Sequence, residues 1–311
     1  MVRWPHSDTE GAPLGLGALK DEHAPTRFCA FPVRDYDLAA TLNSGQVFRW
    51  RRHAQGWSSV VGGHWVYLRE EGSSILAEAA EPTTDWSWLT DYLQLDQVLS
   101  EVLGTFPDDE PMRAAVAACR GLRLLRQDPW ECLASFILSS TKQIVQIRQI
   151  VAQLCECYGE PVATPAGDEG GRAFPAPVRL AAASETELRA CKMGFRAPYL
   201  LEAAHRIASG QFDLARPGEL PLEGARTELL SLPGVGPKIA DCVLLFAYGF
   251  PKAFPVDVWV LRALRELYFP RRRATLRRVQ QFASAHFGPH AGYAQQYLFH
   301  YIRTRGQGPN V

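Results

Sequence analysis

At 311 residues, 47% hydrophobic and 21% charged, the chain has the composition of a soluble globular protein long enough for one large or two ordinary domains. Its longest apolar run, roughly residues 240–250, is about half the ~20 residues of a membrane-spanning helix and is closed by Pro251, so no membrane partner is expected. The formal net charge is zero, and seven cysteines without a CxxC pair exclude a structural zinc or an iron–sulfur cluster.

In chain order, residues 1–27 lack an apolar signal core and read as a loosely ordered leader; an intracellular protein with free thiols follows. From Gln46 to about Ala80, VFRWR, WSSVV, HWVYLRE and SILAEA are short, β-branched and aromatic, and bounded by Gly or Ser, which predicts antiparallel strands. Gly62-Gly63 supplies a two-residue hairpin turn. Glu81 to Glu110 carries eight acidic residues and no Lys or Arg, whereas Pro251 to Val311 carries ten Lys or Arg against Asp257 and Glu266. That asymmetry fits one anion-facing side; for RRRATLRR alone, a solvated helix face is the plainer account.

Beyond Trp86 the pattern turns helical. Asp128-Pro129-Trp130-Glu131 predicts a helix start, with Asp128 as N-cap, Pro129 in the first helical position and Glu131 closing a capping box. Gly159 to Pro177 reads as a surface loop. Helices are expected near 184–190, 199–209, 224–231, 238–249, 258–268, 276–286 and 293–303. The fold class is therefore α+β: an antiparallel sheet domain over residues 28–98, then a mostly helical domain over 99–311.

The chemistry centres on LPGVGPKIADC, Leu232 to Cys242, where a turn with two glycines joins two helices at about 224–249. Gly234 and Gly236 permit left-handed dihedrals and expose N–H groups at the amino end of the second helix, an anion site suited to phosphate. Lys238 lies in that helix's positive first turn, which disfavours its charged form, and a neutral amine is a nucleophile. Nineteen residues on, Asp257 precedes an apolar-periodic helix; it suits an N-cap and equally a carboxylate that orients Lys238.

LPGVGPKIADC followed by PVDV resembles the helix-hairpin-helix Gly/Pro…Asp superfamily of DNA glycosylases, the lysine marking its bifunctional branch. More closely, the chain is similar to eukaryotic-type 8-oxoguanine DNA glycosylase/AP lyases from about Phe31 to Ile302, through SGQVFRW, YLQLD, GLRLLRQDPWECLASFILSS, MGFRAPY and GPHAGYAQQYLF. The resemblance implies that Lys238 attacks the sugar's anomeric carbon, expels the base as a Schiff base forms, and nicks the strand by β-elimination, with Asp257 in support. It implies a base pocket walled by Cys242 and Phe299, with Gln295 on the pairing edge and the Gly45 carbonyl accepting the hydrogen that oxidation adds to a purine nitrogen. Phe195 and Arg196 would wedge into the vacated stack, and Gly234, Gly236 and Trp259 would meet phosphates. No cofactor is implied beyond a monovalent or divalent cation held by the carbonyls of Leu230, Leu232 and Val235. The partner it implies is double-stranded DNA containing an oxidised purine, and a monomer is expected.

The chain departs from the family where it reads the opposite base. Thr141-Lys142-Gln143 replaces a run of asparagines and Gln146 an arginine, so a strict demand for cytosine does not follow. Trp259 stands where the eukaryotic enzymes carry histidine. Two other readings fit the same motifs: a relative that favours another oxidised or alkylated base, and a non-catalytic helix-hairpin-helix DNA-binding module.

Overall fold

A computed structural model describes residues 25–140, 143–168, 171–270 and 274–305. The predicted leader therefore lies outside the described residues up to position 24. Five antiparallel strands form one sheet in the order β1-β5-β4-β3-β2: β1 (Thr26–Pro32), β2 (Arg51–Arg52), β3 (Trp57–Val61), β4 (His64–Glu71) and β5 (Ser74–Thr83). The expected hairpin closes β3 and β4, with Gly62 at φ 56° and Gly63 at φ 83° setting Val61 opposite His64.

Two strand expectations change. Strand β1 lies outside the predicted strands: of its seven residues only Phe31 is buried, so no inside-outside alternation marks it. It is held by register with β5, Phe31 opposite Ile75. Conversely, Val47–Trp50 is not a strand, although Val47, Phe48 and Trp50 are buried. The neighbouring backbone is engaged elsewhere. Gln46 Nε2 donates to the Arg123 carbonyl at 2.8 Å, its Oε1 accepts from Leu125 N at 2.8 Å, and its own carbonyl accepts from Gln127 Nε2 at 2.8 Å. This stitching fixes the Gly45 segment against the helical half.

The helices are α1 (Leu38–Asn43), α2 (Ser87–Leu93), α3 (Leu99–Leu103), α4 (Glu110–Ala118), α5 (Pro129–Leu138), α6 (Ile144–Tyr158), α7 (Pro177–Ala181) and α8 (Glu185–Leu188). They continue with α9 (Ala197–Ala208), α10 (Arg216–Glu219), α11 (Leu222–Leu230), α12 (Pro237–Phe246), α13 (Val258–Tyr268), α14 (Leu276–His286) and α15 (Ala291–Thr304). Leu38, Leu42, Val66, Leu68, Ile75, Leu89 and Leu93 form a core between the sheet, α1 and α2. A larger core gathers α4 to α15 around residues such as Leu133, Ile147, Leu200, Leu244 and Tyr297. Arg123, 3% exposed, bolts the two halves by donating to the carbonyls of Arg34 (2.8 Å), Asp35 and Gln97 (2.5 Å). Meeting its donors this way offsets the cost of burying a cation.

Asp128 caps α5 as predicted, accepting from Glu131 N at 2.8 Å. Glu131 does not close the capping box. Its carboxylate pairs with Arg49 at 3.2 Å, because a largely buried guanidinium demands a counter-charge more than a helix N–H demands an acceptor. The loop expected after Gly159 is irregular but tethered, Trp65 Nε1 donating to Asp168 Oδ2 at 2.7 Å. All seven cysteines are free thiols, and no described helix is long and apolar enough to cross a membrane.

Candidate active site at a helical hairpin

Helix α11 ends at Leu230, and the chain reverses through Leu232–Gly236, with Val235 N–H donating to the Leu232 carbonyl at 3.1 Å. Leu230 is 39% exposed, whereas Leu232 and Val235 are buried. Gly234 is required twice over: its φ is 79°, and a Cβ there would stand 2.6 Å from Cγ of Tyr199. Gly236 departs from expectation. It is extended (φ −94°, ψ 176°) and serves as the N-cap of α12, a position that takes β-region rather than left-handed dihedrals. Pro237 then opens the helix, as predicted.

Lys238 is therefore in the first turn of α12 and half-buried. Its Nζ donates to Ser139 Oγ at 3.0 Å and stands 5.1 Å from the ring centre of Phe136. Ser139 and Phe136, at the end of α5, escaped the sequence reading, since a serine and an aromatic on an apolar helix look like ordinary packing. Asp257 is the N-cap of α13, accepting from Val260 N at 2.8 Å. Burial pushes its carboxyl above the usual range, opposed by the Val260 N–H and by the charges of Lys238 and Arg303. One turn beyond Lys238, Cys242 is buried, and desolvation pushes its thiol up to about 12. It is therefore a neutral wall near neutral pH and no nucleophile.

The other wall is built on α15. Gln295 (4% exposed), Phe299 (9%) and Arg303 follow at four-residue spacing and so share one helix face. Gly45 meets that face: with φ 82°, a Cβ on it would lie 2.8 Å from Ile144 Cδ1, 3.2 Å from Phe299 Cε1 and 3.3 Å from Arg303 Nη1. Asp257 joins the two sides, its carboxylate feeling both Lys238 and Arg303. Gln295 Oε1 is buried with no hydrogen-bond partner among the described residues. Burying such an acceptor costs about 1–3 kcal/mol unless a ligand supplies the donor.

The remaining candidates lie outside this cluster, and all but Arg196 are more exposed. Phe195 is 56% exposed beside Lys192 and Gly194, both at positive φ, while Arg196 is 2% exposed with its guanidinium 4.3 Å from the Phe195 ring centre. Gln146 is exposed in the first turn of α6, its Oε1 accepting from Gln143 N at 3.1 Å. Thr141 lies outside the described residues. Trp259, 39% exposed, occupies the first turn of α13 with Arg262 5.9 Å from its ring centre. None of these candidates lines the cavity of about 260 Å³ between sheet and α6, which is bordered by Arg49, Trp65, Arg148 and Cys155. Among the described residues no cluster of three or more His, Cys, Asp or Glu side chains is placed to hold a metal.

Gly45→Ala is expected to slow base excision about 10- to 100-fold, because the methyl group must displace Ile144 or Phe299 and a positive φ costs a further ~1–2 kcal/mol. Single-turnover excision assays alongside thermal melts check this. A melting temperature that falls while the rate is untouched would remove Gly45 from the site.

Residues 29–133 match the N-terminal domain of 8-oxoguanine DNA glycosylase, and residues 134–288 match the HhH-GPD superfamily of base excision DNA repair proteins. A probable N-glycosylase/DNA lyase of Methanothermobacter thermautotrophicus is 31% identical over 308 residues, covering 88% of this chain and 96% of that protein. The N-glycosylase/DNA lyase OGG1 of Arabidopsis thaliana is 31% identical, covering 86% of this chain and 79% of its own length. The Clostridium acetobutylicum 8-oxoguanine glycosylase/lyase, solved with double-stranded DNA containing cytosine opposite 8-oxoG, superposes with a TM-score of 0.81 at 30% identity, covering 87% of this chain and 92% of that one. With a five-stranded sheet ahead of a helical hairpin that presents Lys238 beside Asp257, the chain belongs to the 8-oxoguanine N-glycosylase/DNA lyase family of HhH-GPD repair proteins.

Proposed function

We propose that this chain excises 8-oxoguanine from duplex DNA and then cleaves the strand at the resulting site. The observation that carries the reading is Lys238 Nζ, withdrawn from water onto Ser139 at 3.0 Å with Asp257 and Cys242 around it. An enzyme acting on a base must evert it from the stack. The everted base lies between Cys242 and Phe299, Gln295 Oε1 accepts from its pairing edge, and the Gly45 carbonyl accepts from N7–H. Guanine has a lone pair at N7, so the same carbonyl repels it.

The Lys238 amine attacks C1′, and the electron pair of the C1′–N9 bond leaves with the base, which then takes up a proton. Positive charge accumulates on the sugar as that bond breaks, and the Asp257 carboxylate stabilises it. The nitrogen then expels the ring oxygen as an imine forms. Loss of a C2′ proton breaks the C3′–O3′ bond and frees the strand 3′ to the lesion. Lys238 supplies the nucleophile, so no cofactor is required.

Phe195 fills the vacated stack, with Arg196 and Gln146 toward the orphaned base. Gly234, Gly236 and Trp259 meet phosphates through helix N-termini. The turn fits a cation held by the carbonyls of Leu230, Leu232 and Val235: the Leu232 carbonyl accepts one hydrogen bond from Val235 and keeps a second lone pair. Such an ion would help dock a DNA phosphate. The protein acts as a monomer where genomic DNA lies inside the cell.

Single-turnover excision on duplexes carrying 8-oxoguanine, 3-methyladenine or unmodified guanine, each opposite all four bases, tests the proposal. Release of 8-oxoguanine with strand cleavage is expected. Release of only the alkylated base, or binding with no release, overturns it.

A further inference from the structure

Resting on that reading, we infer that Arg303 is a further specificity residue, donating from Nη1 to the exocyclic oxygen at C8 of the everted lesion. Arg303 lies four residues beyond Phe299 and eight beyond Gln295, on their face of α15. Its guanidinium carbon stands 5.0 Å from the Phe299 ring centre, and Nη1 lies 3.3 Å from where a Gly45 Cβ would sit. That nitrogen is buried and has no hydrogen-bond partner among the described residues. Burial lowers its affinity for its proton, and the neighbouring charge of Arg148 adds to the effect against the pull of Asp257. An unpaired donor on a buried cation is costly, so the arrangement points to a bound acceptor.

The acceptor follows from what flanks it. One end of this aromatic platform offers Gln295 Oε1, an acceptor without a donor, and the other offers Arg303 Nη1, a donor without an acceptor. 8-Oxoguanine is polarised in the same sense, with N1–H and the N2 amine at its pairing edge and carbonyl oxygens on either side of N7–H. If N7–H meets the Gly45 carbonyl, the adjoining guanidinium meets a neighbouring carbonyl. O8 is conjugated through C8 with the departing N9, so the electron pair released by the C1′–N9 bond spreads onto it. A hydrogen bond there strengthens in the transition state and speeds bond breaking, whereas guanine offers only C8–H to the cation.

The test compares Arg303→Met and Arg303→Lys with wild type, by single-turnover excision of 8-oxoguanine and by nicking at a preformed abasic site, where no base occupies the pocket. The ratio of excision rate to nicking rate is expected to fall about 10- to 100-fold in Arg303→Met, the scale of a charge-assisted hydrogen bond, with partial recovery in Arg303→Lys. An unchanged ratio overturns the inference, whether both rates hold or both fall together. Wild type that nicks abasic DNA but leaves 8-oxoguanine in place overturns the inference and the underlying reading at once.

Discussion

Lys238→Gln is expected to abolish strand nicking and to slow base release by about 10³-fold or more, while duplex affinity stays within a few-fold of wild type. Glutamine is one atom shorter but keeps an unbranched stem and a polar, donating end near Ser139, so α12 and its packing on α5 should persist. What disappears is the only atom in the constellation able to form a carbon–nitrogen bond to the sugar. Cys242 cannot substitute, because burial holds it as a thiol far above neutral pH. Quenched-flow excision assays and fluorescence binding, run on one preparation, separate the two effects. A variant that still nicks would place the nucleophile elsewhere.

Asp257→Asn isolates charge from structure. Asparagine caps helices about as well as aspartate, so the bond to Val260 N and the start of α13 should survive. Excision is nevertheless expected to slow about 10²- to 10³-fold, the scale of losing one electrostatic contact to a developing charge. The pH dependence carries the same assignment. Asp257 must be ionised to act, and burial raises its pKa, so wild-type activity should fall as pH drops through a value above the ordinary carboxylate range. The variant should lack that acid limb. A carboxyl with a raised folded pKa also weakens the fold as pH rises through it, so Asp257→Asn should melt no lower than wild type at neutral pH. An unchanged acid limb would move the titrating group to another residue.

Local pattern reveals some of this site and hides the rest. Lys238 and Cys242 are visible because one motif places them a helical turn apart, and Asp257 because N-caps have a residue signature. Ser139 and Phe136 reach Lys238 from about a hundred residues away, where nothing in the apolar run of α5 marks them. Arg303 is hidden for a related reason: an arginine near the end of a helix usually faces water, whereas here Nη1 is buried with the distant Gly45 turn against it. The fold divides similarly. Gly62-Gly63 and the Asp128 cap follow from short-range rules and appear where expected. Val47–Trp50 has the β-branched and aromatic make-up of a strand, yet Gln46 anchors its flank to residues 123–127. Glu131 reads as half of a capping box until Arg49, 82 residues away, claims it.

The most direct test of the central claim is borohydride reduction during turnover on an 8-oxoguanine duplex, followed by peptide mapping of the trapped adduct. The nucleic acid should be found on Nζ of Lys238, with no adduct in Lys238→Gln. An adduct on any other amine, or base release and nicking with no adduct formed, would contradict the account.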